Sequence, residues 1–131
     1  LLMVKILSTI LPTFQVKTNL DPELISRDVE VVNSYINDPL VHGLGSTRLA
    51  YESISCGQEI IKGKNKTSVP LLLIQGTNDL IVPVEANVDF AKRLEGNVTI
   101  KLWDGLYHEP HNEPEKMEVL SYVHSWMCGN L

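Results

Sequence analysis

The sequence predicts an α/β fold in which a helical first half is followed by a β-α-β-α unit. Three observations predict it. The run Leu71-Leu72-Leu73-Ile74 is short and continuously apolar, as suits a strand covered on both faces of a parallel sheet. A helical pattern over Val84–Glu95 separates it from a second strand, Val98–Trp103. The right-handed crossover that joins two such strands makes them parallel neighbours. A two-stranded parallel sheet leaves its strand edges unpaired and is not expected to stand alone.

The first half reads as helices and loops. Residues 1–11 form a helix that Pro12 stops, with Met3, Ile6, Leu7 and Ile10 on one face and Lys5, Ser8 and Thr9 on the other. Residues 13–20 read as an irregular connection. Asp21-Pro22-Glu23 is a helix start, with a capping acid and a proline in the first turn. A second helix follows Asp28, carries Val31, Val32, Tyr35 and Ile36, and stops at Asn37-Asp38-Pro39 because a residue before proline avoids the helical region. Leu40–Gly45 reads as a loop. Ser46 caps a longer helix to about Ile61, whose apolar or small face is Leu49, Ala50, Ser53, Ile54, Gly57, Ile60 and Ile61. Residues 63–68 are a polar connector.

In the second half, Pro70 is tolerated because it precedes the strand. The helix after it presents Val84, Val88 and Ala91, flanked by Phe90 and Leu94, and Gly96 is its stop signal. Glu113-Pro114-Glu115 opens the last helix with acids at its positive end. Val119, Leu120, Val123, Trp126 and Met127 form its expected buried side, and Gly129 its end.

Composition excludes some functions. A net charge of −5 over 131 residues argues against nucleic-acid binding, which needs a basic surface. Cys56 and Cys128 are too sparse for a disulfide framework and read as free thiols of a reducing compartment. No apolar run reaches the roughly 18 residues of a membrane span. His108-Glu109-Pro110-His111 is not a zinc motif, because that motif needs two histidines four apart on a helix. No metal and no other cofactor is expected.

The chemistry lies just past the carboxyl ends of the two strands, where open α/β sheets bind ligands. Gln75-Gly76-Thr77-Asn78-Asp79 follows the first strand, and Asp104-Gly105-Leu106-Tyr107-His108 follows the second. An acid and an imidazole one β-α unit apart suit the acid and base of a catalytic triad. Neighbouring parallel strands lie about 4.8 Å apart, so the two loops can meet. Taken alone, Asp79 also suits a turn or cap beside Asn78, and His108 a loop histidine. No nucleophile accompanies them. Ser55 precedes Cys56-Gly57 without the first glycine of Gly-x-Ser-x-Gly, and Ser46 follows Gly45 without the rest.

Val69–Asp79, the segment Gly105-Leu106-Tyr107-His108-Glu109 and the following Asn112-Glu113-Pro114 resemble the end of an α/β-hydrolase. With Asn37-Asp38-Pro39-Leu40-Val41-His42-Gly43, the whole chain resembles the C-terminal half of the monoacylglycerol lipase and lysophospholipase group of serine hydrolases, which is serine-aminopeptidase-like. The resemblance implies a helical cap over residues 1–62 and the last two parallel β-α units of an α/β-hydrolase core over 69–131. It implies Asp79 as triad acid and His108 as triad base. The nucleophilic Ser and the oxyanion motif would lie before Leu1, so the chain alone is expected to be inactive. The substrate implied is a lipid ester, a monoacylglycerol or lysophospholipid. The helix at 1–11 then has two readings: a lid face toward lipid, giving peripheral membrane contact to an otherwise cytoplasmic protein, or a core face packed on the domain. Oligomeric state is not implied. Two rivals stand beside this reading: another reaction of the fold, such as epoxide or other ester hydrolysis, and a truncated or degenerate hydrolase acting as a binding module.

Overall fold

The computed structural model describes residues 2–63 and 65–130. In chain order the elements are helix α1 (Leu2–Ile10), strand β1 (Gln15–Lys17), helix α2 (Val29–Asn37), strand β2 (Leu44–Ser46), helix α3 (Thr47–Lys62), strand β3 (Leu71–Gly76), helix α4 (Val84–Arg93), strand β4 (Val98–Trp103) and helix α5 (Lys116–Asn130). Short 3-10 turns cover Pro22–Leu24 and Pro110–Asn112. The chain divides into two compact units. One holds residues up to 20 and from 39 to the 63–65 connector; the other holds 21–38 and 65 onward.

In the first unit α1 packs on α3, and β1 pairs antiparallel with β2, Val16 opposite Gly45. This small sheet replaces the irregular connection and loop expected there. Three-residue strands with exposed side chains on β1 leave no apolar alternation to read. Ser46 caps α3 by accepting the Leu49 N–H at 3.1 Å. The apolar stripe of α1 is not core. Met3 and Ile10 are 76% and 69% exposed, and Ile6 and Leu7 are also exposed, whereas Ser8 is buried. Burying Ser8 is inexpensive because its hydroxyl donates to the Lys5 carbonyl at 2.8 Å. Leu49, Ile54, Ile60 and Ile61 of α3 are exposed as well.

The second unit carries β3 and β4, paired in parallel from Leu71 opposite Val98 to Gly76 opposite Trp103. Their crossover is α4, which buries Ala91. Asp21 and Asp28 cap the turn and the helix that follow them, each accepting a backbone N–H two residues on at 3.0 Å. The buried apolar residues Ile25, Ala91, Leu106 and Val119 all lie in this unit. On α5, Val119 is buried and Val123 and Trp126 are half-buried, but Leu120 and Met127 are exposed, against expectation. The helix also continues through Gly129 to Asn130. Trp126 donates its indole N–H to Thr99 at 3.0 Å, and Trp103 meets Tyr122 edge to face with centroids 6.0 Å apart.

The turns after the two strands are bonded to one another. Thr77 N–H donates to the Trp103 carbonyl at 2.8 Å, and Asn78 N–H to the Leu106 carbonyl at 2.9 Å. Gly105 N–H donates to the Thr77 hydroxyl at 2.8 Å. Gly76 makes this possible: a Cβ there would stand 2.1 Å from the Leu106 carbonyl oxygen. Gly105 serves differently, turning the chain with φ +73° in open space. Because the obstacle at Gly76 is backbone, Gly76→Ala is expected to lower stability by about 3 kcal/mol or more, read as a fall in the urea unfolding midpoint.

Candidate active site

β3 ends at Gly76, and the turn after it brings Asp79 back beneath the strand end. Its side chain is 2% exposed. A buried carboxylate needs donors, and Asp79 has four. Oδ1 accepts the Ile81 and Val82 N–H groups, each at 2.9 Å. Oδ2 accepts the Gln75 amide at 3.1 Å and lies 3.0 Å from His108 Nδ1. Burial works to raise the Asp79 carboxyl. The Val82 N–H, His108, the Ile81 N–H and Gln75 outweigh it and hold the group below its ordinary value of 3.8. An ionised Asp79 only accepts, so His108 Nδ1 carries the proton and Nε2 is left to take another. The His108 side chain is 35% exposed.

The loop bearing His108 is held from behind. Glu113 is fully buried. Its Oε1 accepts the Tyr107 N–H at 2.7 Å, and its Oε2 accepts Arg27 Nε at 2.9 Å and the Arg27 N–H at 3.3 Å. Arg27 also bonds Glu115. Ser26 Oγ donates to the Asn112 carbonyl at 3.0 Å, and Glu109 N–H donates to the Ile25 carbonyl at 3.0 Å. Residues 25–27 thus fasten the His108 loop, and the Ser26 hydroxyl is committed to that task.

The structure therefore brings together the two residues singled out in the sequence, Asp79 and His108. It also shows partners that sequence reasoning missed. Glu113 had the signature of a helix-opening acid, but it sits ahead of α5, buried in an ion pair. Its signal was its place in His-Glu-x-x-Asn-Glu-Pro rather than its distance from a helix start. Gln75 was the one polar residue in an apolar run. Arg27, in the link before α2, and Asn87 on α4, whose Nδ2 donates to Gln75 Oε1 at 2.9 Å, gave no signal, because polar residues of this kind are routine in links and on exposed helix faces. Ser46 is spent as a cap, and Ser55 lies within α3. Among the described residues, no helix is long and apolar enough to cross a membrane.

A parallel β-α-β unit with a carboxylate and an imidazole meeting beyond its strand ends defines the class as an α/β-hydrolase. The chain belongs to the family described as serine aminopeptidase, S33, whose model matches residues 1–115. It is 37% identical over 129 residues to a monoacylglycerol lipase of Mycolicibacterium smegmatis, covering 97% of this chain and 46% of that protein. The crystal structure of Paleococcus ferrophilus monoacylglycerol lipase superposes with a TM-score of 0.82 at 29% identity, covering 99% of this chain and 51% of that one. A soluble variant of monoglyceride lipase from Saccharomyces cerevisiae, in complex with a substrate analog, gives a TM-score of 0.84 at 20% identity, covering 98% and 46%. The chain thus spans about half the length of these lipases. The fold is that of a partial α/β-hydrolase, and the expected hydrolase family is borne out.

Two outcomes follow from the site. Glu113→Ala leaves Tyr107 N–H and Arg27 without their acceptor; a loss of roughly 2–4 kcal/mol in chemical denaturation is expected, with Glu113→Gln milder because it retains an oxygen for Tyr107. Asp79, depressed in the folded state, contributes stability that is complete above its ordinary 3.8 and is lost as pH falls through the lower folded value. Asp79→Asn should therefore flatten the fall in unfolding free energy over that acid window, and an unchanged slope would rule the contribution out.

Proposed function

We propose that this chain supplies the acid and base of a serine hydrolase that cleaves carboxylic esters of lipids, a monoacylglycerol or lysophospholipid, with a nucleophilic Ser outside residues 1–131. The observation that carries the reading is the 3.0 Å contact between Asp79 Oδ2 and His108 Nδ1, with the Asp79 side chain buried and that of His108 partly exposed. The likeness to monoacylglycerol lipases supports the substrate class. The partly covered sheet supports a longer protein: Ile100 and Leu102 of β4 are exposed, although parallel sheets are ordinarily covered on both faces.

In this mechanism His108 Nε2 takes the hydroxyl proton as the Ser oxygen attacks the acyl carbonyl. The tetrahedral adduct collapses when His108 returns that proton to the leaving alcohol oxygen. Water then repeats the sequence on the acyl-enzyme, and the fatty acid departs. Asp79 stays ionised throughout, holding the ring by Nδ1 and stabilising the imidazolium. Residues 1–62 serve as the cap region of the enzyme, and the exposed Leu2, Met3, Ile6, Leu7 and Ile10 of α1 supply peripheral contact with lipid.

The test is made on the full-length protein, with a monoacylglycerol, a short-chain aryl ester and an aminoacyl arylamide as substrates. The two esters are expected to turn over, and His108→Ala and Asp79→Asn to lower kcat by about 10⁴ each. Ester hydrolysis that survives His108→Ala removes the histidine from the mechanism. Turnover of the arylamide alone moves the substrate class to peptides.

A further inference from the structure

Gln75 is the penultimate residue of β3, its side chain turned into the site and the residue 3% exposed overall. Its amide makes three hydrogen bonds. Nε2 donates to the Val82 carbonyl at 2.8 Å and to Asp79 Oδ2 at 3.1 Å, and Oε1 accepts from Asn87 Nδ2 at 2.9 Å. A carbonyl and an ionised carboxylate can only accept. Turning the amide over would face Oε1 against both and Nε2 against the Asn87 donor. One orientation is therefore fixed by chemistry, and Asn87 braces it from α4.

The two oxygens of Asp79 consequently do different work. Oδ1 is anchored by two backbone N–H groups. Oδ2 is divided between Gln75 and His108. We propose that Gln75, braced by Asn87, is a positioning residue for the acid–base pair: it takes a share of the Asp79 oxygen that binds His108 and so limits how tightly that oxygen holds the imidazole. The proposal rests on the reading of Asp79 and His108 as acid and base. Gln75 itself touches no reacting atom.

The direction of the effect follows. An oxygen that accepts two hydrogen bonds is a weaker partner for each. Without the Gln75 donor, the backbone bonds to Oδ1 keep the carboxylate in place, and Oδ2 acts on His108 alone. The imidazolium is then favoured. A general base must be neutral to accept the nucleophile's proton, so the acid limb of the rate profile moves to higher pH. The other charged groups about the His108 loop are not bonded to Gln75. Glu109 accepts from Asn112 at 2.6 Å, Glu113 is paired with Arg27, Asp104 accepts from Thr77, and His111 is exposed on the following turn.

The test compares Gln75→Met, which keeps length and removes the donor, with Asn87→Ala, which removes only the brace. Two quantities are read in the full-length protein: the pH dependence of kcat/KM on a short-chain ester, and the NMR titration midpoint of the His108 ring. In Gln75→Met both are expected to move upward by roughly 0.5–1 pH unit with KM little changed. Asn87→Ala should move them the same way by less. Should Gln75→Met not fold, Asn87→Ala decides alone. Unmoved midpoints in a folded variant overturn the proposal, because a merely structural Gln75 would lower stability without shifting them. A downward shift overturns it too, since Asp79 would then have left the ring. If the wild type does not hydrolyse esters, the reading of the pair has failed; the ring titration needs no turnover and still judges Gln75.

Discussion

The closeness of two backbones organises the second unit. The turns after β3 and β4 lie against each other so tightly that only a hydrogen fits at Gly76, with the Leu106 carbonyl directly opposite. That approach lets Asn78 and Thr77 bond the following loop, extending the ladder of the sheet past its last residue pair. Asp79 and His108, 29 residues apart in sequence, are then carried on turns that are already joined. Their 3.0 Å contact is the result of the backbone arrangement rather than its cause. Side chains placed in this way lose little entropy when they meet.

The carboxylate at the centre is stabilised by local supply. Burial opposes its charge, and three of the four donors that overcome burial come from within four residues: Gln75, Ile81 and Val82. The turn and the end of β3 thus supply most of the donors that keep Asp79 ionised, and His108 adds the one that comes from a distant segment. His108 differs. Its loop is tied through Glu113 to Arg27, from a segment 86 residues away in sequence. One member of the pair is secured locally and the other by long-range contact.

This difference explains what the sequence disclosed. Strands β3 and β4, the crossover, the caps at Asp21 and Ser46, and the pairing of Asp79 with His108 rest on short-range periodicity, on turn chemistry and on the place of sites in parallel sheets. They were legible. Glu113 was misread because a capping acid and a buried ion-pair acid share one local pattern, and only the fold says which is present. The face of α1 stayed open between lid and core for a related reason. Periodicity identifies an apolar stripe but not what it faces, and here the small polar Ser8 is the buried residue. The β1–β2 pair was illegible because its stability comes from partners about 30 residues apart, without any pattern inside three-residue strands.

Arg27 and Glu113 also set an order of events. Residues 21–38 belong to the unit completed by the C-terminal segment, while residues 39–63 fold elsewhere. A ribosome releases Arg27 before Glu113, so this stretch must wait, undocked, while the 86 residues up to Glu113 are made. With nine residues, α2 lacks the length to hold its own helix in isolation. Docking then closes a loop of more than eighty residues, and the histidine loop has this backing only once Glu113 has been made.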